Sequence, residues 1–145
     1  GASSLKHSLP TAAALLCLAA PAFAEGDAAA GEKAFNKCKS CHEVVSDAGE
    51  TLVKGGKTGP NLWGIAGRTA GTVADFKFGD ALVAAVAAGL VWDEASFAGY
   101  VQDPRAFLQD TLGDTGAKSK MSFKLKSGGE DIFAYLAQYG AAATN

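Results

Sequence analysis

Cys38-Lys39-Ser40-Cys41-His42 is the stretch on which the reading of this 145-residue chain turns. Two thiols three residues apart on one turn can each bond a vinyl-derived carbon of one porphyrin, and the next residue, His42, then points at the iron. C-x-x-C-H is the attachment pattern for c-type haem. It makes Cys38 and Cys41 the covalent anchors of one haem c and His42 an iron ligand. Three other chemistries use the same residue types. A thioredoxin-like C-x-x-C wants a strand before it in a βαβ setting, whereas residues 31 to 37 are rich in Ala, Glu and Lys and read as helix. A structural zinc site needs four ligands, and beyond residue 24 the chain has no Cys or His other than these three. A plain Cys38–Cys41 disulfide leaves His42 without a role.

Working outward, the second decisive residue is the single methionine. A Met across the iron from a His gives a six-coordinate electron carrier of raised potential. Met121 sits in Lys118-Ser119-Lys120-Met121-Ser122-Phe123-Lys124, a polar, lysine-rich stretch with no hydrophobic stripe. A methionine used as core filler belongs in other company, so Met121 reads as the second metal ligand beside His42.

Upstream of the motif, residues 1–24 form their own block: Lys6 and His7, an Ala/Leu run over residues 12–20, then Pro21-Ala22-Phe23-Ala24. This order is that of a secretory signal peptide with a small-x-small cleavage site, and the run is shorter than the roughly 20 apolar residues of a spanning helix. The expected mature protein is a single domain over residues 25–145, exported to the periplasm. Cys17, inside the leader, reads as apolar filler. Removing Lys6 leaves 12 basic against 15 acidic side chains, a net charge of −3. With 48% apolar and 19% charged residues, the balance is that of a globular domain rather than a disordered chain or a nucleic-acid-binding arm.

The apolar periodicity predicts an all-α fold of about five helices joined by Gly-rich loops, and no strands. Asp27 caps a first helix running toward Lys39, with Ala30, Ala34 and Phe35 on one face. A long glycine-rich loop over residues 47–61 can approach a flat cofactor closely. Helices are expected over 80–88, ended by Gly89, and over 93–102. Asp103 and Pro104 are placed to cap and open the next one. Ser127 and Glu130 are spaced as a capping box for a last helix reaching Tyr139.

With motif, methionine and helix order in hand, the mature chain resembles the class I c-type cytochromes along nearly its whole length, the bacterial cytochrome c2 subgroup most of all. The resemblance rests on Gly31-Glu32-Lys33-Ala34-Phe35, Thr58-Gly59-Pro60-Asn61-Leu62, Gly67-Arg68, Trp92, residues 100–104, Lys120-Met121-Ser122-Phe123 and Glu130-Asp131-Ile132-Phe133-Ala134-Tyr135. It implies the cytochrome c fold around one haem, with Gly31, Phe35 and Tyr135 at the crossing of first and last helices. The Pro60 carbonyl would accept the free ring N–H of His42, Tyr100 would sit beside Met121, and Arg68 and Trp92 would bond near the haem propionates. Phe78 and Leu82 depart from the family, standing where relatives place a tyrosine and a polar side chain.

The implied function is one-electron transport by a soluble monomer, not an enzyme, from a membrane cytochrome bc complex to a photosynthetic reaction centre or a terminal oxidase. Lys37, Lys39, Lys54, Lys57, Lys118, Lys120, Lys124 and Lys126 gather around the two ligand segments, with no acid between residues 115 and 129. Such a cluster would steer the protein to acidic partners. The competing reading is an open-site haem protein, a peroxidase or gas sensor, which would need a vacant iron position and a distal acid–base group.

Overall fold

Asp27 does what its position asks: its carboxylate accepts from the backbone N–H groups of Ala29 (2.9 Å) and Ala30 (3.4 Å) and opens α1 (Ala28–Ala34). The structure is a computed structural model that describes residues 26–140, so the leader expected at 1–24 lies outside the described residues. A 3₁₀ turn, Phe35–Lys37, carries α1 into the Cys38 turn. Helices α2 (Asp80–Ala87), α3 (Glu94–Gln102), α4 (Pro104–Leu112) and α5 (Gly129–Leu136) follow in order. Asp93 and Ser96 form a reciprocal capping box on α3, Asp103 caps α4 through the Ala106 N–H (3.0 Å), and Pro104 takes the first helical position, where its missing N–H costs nothing.

The first and last helices cross at close range. A β-carbon on Gly31 would run into the Asp131 carbonyl and lie 2.9 Å from Cβ of Tyr135, so glycine is what lets the two backbones meet. Phe35, fully buried, packs tilted against Tyr135 with ring centroids 5.5 Å apart. Beyond that crossing α5 also packs on α3, and α4 packs on both α3 and α2. The core so enclosed includes Leu108, Ile132 and Leu136, each 1% exposed or less.

Three expectations are corrected. The chain is not strand-free: β1 (Val44–Val45) and β2 (Thr51–Val53) pair antiparallel, Val44 opposite Val53, with a bulge between Val44 and Val45. β-branched residues flank the tight Ser46–Glu50 turn, in which Ser46 N–H donates to the Glu50 carbonyl (2.8 Å) and Gly49 has φ +82°. The first part of the glycine-rich loop is therefore a hairpin arm. Nor does α5 begin on a capping box. Its N-cap is Gly128 at φ +93°, and no side chain caps it. Val101 holds the approach by accepting from Leu125 N–H (2.8 Å), and the turn in the left-handed region at Gly128 leaves Ser127 one residue short of the cap. α5 also ends at Leu136, with Tyr139 in the turn beyond.

Candidate haem site

The Cys38 turn is built by the end of the 3₁₀ segment: His42 N–H and Cys41 N–H both donate to the Cys38 carbonyl, at 2.9 and 3.2 Å. That single turn brings the two sulfurs and the imidazole onto one wall. The glycine-rich loop then closes against its outer side, Gly56 N–H donating to Lys39 (2.8 Å) and Gly59 N–H to Cys41 (2.7 Å). A β-carbon at Gly59 would collide with the His42 ring. The loop thus grips the attachment turn and the imidazole, rather than only lining a flat face.

His42 and Pro60 fix each other. Nδ1 lies 2.8 Å from the Pro60 carbonyl, and since that oxygen can only accept, Nδ1 carries the proton. Nε2 is left with its lone pair, the form that binds iron. Burial pulls the pKa of His42 below its ordinary value, the Pro60 bond opposing it in part, so the ring is neutral. The two cysteines differ. Cys38 is the deeper, its thiol pushed up to about 11 chiefly by burial, while Cys41 is at the surface and its thiol is lowered by hydrogen bonds from Thr58 and Ser40.

All eight residues singled out from the sequence, Cys38, Cys41, His42, Pro60, Arg68, Trp92, Tyr100 and Met121, line one partly open cavity of about 560 Å³. Its floor is apolar, with Phe35, Leu62, Ile65, Leu108 and Ile132 from four separate stretches of chain. Trp92 packs tilted against Tyr100 with centroids 5.0 Å apart. Phe78 and Leu82, the two departures noted in the sequence, also turn apolar side chains to this wall. Of the eight lysines, Lys37, Lys118 and Lys120 stand on the cavity's edge. Two of the eight are engaged: Lys124 pairs with Asp103 (3.3 Å), and Lys120 Nζ donates to the Lys77 carbonyl (3.0 Å), spanning the mouth.

A porphyrin fits these walls. Two free cysteines, an imidazole with its outer nitrogen already occupied and a thioether share a mostly hydrocarbon cavity. Ser119, missed in the sequence, adds a sharper indication. Its hydroxyl is buried on the cavity wall without a partner in good geometry, a costly state unless a bound group supplies one. It also influences Tyr100, whose hydroxyl pKa is raised mainly by burial and lowered somewhat by Ser119. Lys77 was missed as well, an isolated lysine between Phe76 and Phe78 that no cluster advertised.

Known proteins match this geometry and its sequence together. The chain is 62% identical over 140 residues to cytochrome c-551 of Roseobacter denitrificans, covering 97% of this chain and all of that protein. It is 58% identical to cytochrome c2 of Rhodobacter capsulatus, covering 92% and 97% of the two chains. The chain belongs to the cytochrome c2 family of class I c-type cytochromes. The crystal structure of ferric cytochrome c-550 from Paracoccus versutus superposes with a TM-score of 0.78 at 49% identity, over 81% of this chain and all of the other. No family model matches the chain. As a cytochrome c2-type protein it carries one covalent haem c, attached through Cys38 and Cys41, and serves electron transport.

Proposed function

We propose that this cytochrome is a soluble periplasmic shuttle that takes one electron at a time from a membrane cytochrome bc complex and delivers it to a photosynthetic reaction centre or a terminal oxidase. Haem, when bound, supplies the one-electron iron couple. His42 and Met121 would hold its iron, and Cys38 and Cys41 would anchor it. Pro60 orients His42, the polar tips of Arg68 and Trp92 would meet the propionates, and Tyr100 would stand beside Met121. Residues 1–24 direct export and are removed, leaving residue 25 as the first of the mature domain.

One observation carries the choice of carrier over enzyme. Among the described residues, the groups lining the cavity include no carboxylate and no imidazole besides His42, so the side chains that most often do distal acid–base work are missing from it. What surrounds the mouth instead is cationic: Lys37, Lys77, Lys118 and Lys120, all exposed. Exposed lysines around a redox site favour fast, weak, salt-sensitive encounters with acidic surfaces. Lys39, Lys54, Lys57, Lys124 and Lys126 extend that field behind the rim.

The test is the second-order rate of reduction by purified cytochrome bc complex across a salt series. The rate is expected to fall about tenfold or more from low to physiological salt, and Lys118→Glu to slow it further at low salt only. A rate indifferent to salt and to this substitution would sink the docking reading.

A further inference from the structure

We infer that Asn61 is a positioning residue for His42, acting by locking the Pro60 carbonyl in place. The inference rests on His42 being an iron ligand and goes beyond it to what holds that ligand's partner still. Pro60 has no N–H with which to anchor itself, so the direction of its carbonyl depends on the residues on either side. On one side Gly59 N–H is tied to the Cys41 carbonyl (2.7 Å). On the other, the Asn61 side chain reaches the free edge of β1 and pairs with Val45 as a strand would. Val45 N–H donates to Oδ1 (2.9 Å) and Nδ2 donates to the Val45 carbonyl (2.8 Å). Trp63 N–H donates to the same Oδ1 (3.1 Å), and Leu62 N–H donates to the Glu43 carbonyl (3.0 Å).

The consequence is a side-chain-extended ladder in which residues 59–62 run beside 41–45, with His42 and Pro60 in its middle. An amide suits this position uniquely. Val45 offers a donor and an acceptor at once, so the partner must offer both, which fixes which end of the Asn61 amide is oxygen. Aspartate could accept from Val45 and Trp63 but would set an anion against the Val45 carbonyl. A hydrogen bond at the outer nitrogen raises the basicity of a ligating imidazole and so favours ferric iron; a loosened Pro60 favours ferrous.

The experiment uses the haem-loaded protein and reads two quantities on His42: deuterium exchange of its ring N–H by NMR, and the midpoint potential. Asn61→Ala is expected to speed exchange about fivefold, the equilibrium equivalent of one ordinary hydrogen bond, and to raise the potential. Asn61→Asp, nearly isosteric, is expected to speed exchange by less, while its added charge pulls the potential the other way, so exchange decides the matter if the alanine variant does not load haem. Asp131→Ala, which removes the acceptor of Asp27 N–H (2.8 Å) at the helix crossing, is a control for destabilisation elsewhere and should move neither. Exchange and potential unchanged in both Asn61 variants, or changed equally by the control, would overturn the inference. Wild-type His42 ring signals without the shift imposed by a bound haem would overturn the ligand assignment and this inference together.

Discussion

A methyl group costs very different amounts at two glycines of the same loop. At Gly49, φ is +82° and nothing lies within 4 Å of the added carbon, so Gly49→Ala should cost only the left-handed backbone penalty of about 1 kcal/mol. At Gly59 the added carbon collides with the His42 ring, and overpacking of this kind costs roughly 1–3 kcal/mol. The Gly59→Ala protein should therefore be the less stable of the two in chemical denaturation. It should also disturb the iron spectrum, which Gly49→Ala leaves alone. Cys38, Cys41 and His42 were legible in the sequence because one turn holds all three. Asn61, Ser119 and Lys77 were not, because each acts on a partner at least 16 residues away or on a group the chain does not encode.

Among the elements, three helices carry an aspartate at their starts. Asp27, Asp93 and Asp103 each accept a backbone N–H at the helix they open, a local device that leaves a local trace. α5 begins instead on a glycine, and its Ser127…Glu130 spacing imitated a cap that the approach from Val101 does not permit. The hairpin was hidden for a similar reason: strands of two and three residues are too short for alternation to register. Asp103 also carries a pH consequence. The Ala106 N–H, then Lys124 and Arg105, hold its carboxyl below the ordinary 3.8, so its contribution to stability is present above that pH and is lost as pH falls through the lower folded value. Asp103→Asn keeps the cap acceptor and removes the charge. Its unfolding free energy should fall less steeply than wild type below pH 3.8, as read from urea midpoints at successive pH values. Parallel acid limbs would show that the carboxylate does not contribute.

At the scale of the whole molecule, every wall of the cavity comes from a different part of the chain: Phe35 after α1, Leu62 in the loop, Leu108 on α4, Ile132 on α5. Periodicity tells which face of a helix is buried but not what it is buried against, so this convergence was reached only through the family resemblance. The cavity's ownership by a flat, covalently held group explains why a chain of this size leaves such a space within its core. Ligation of one haem iron by both His42 and Met121 underlies the other roles assigned around the cavity. It is tested most directly by oxidised and reduced absorption spectra of the mature protein beside those of Met121→Ala. The wild-type spectrum should be low-spin, with a sulfur-to-iron charge-transfer band that vanishes in the variant. A high-spin wild-type spectrum, or a band that survives the substitution, would contradict it.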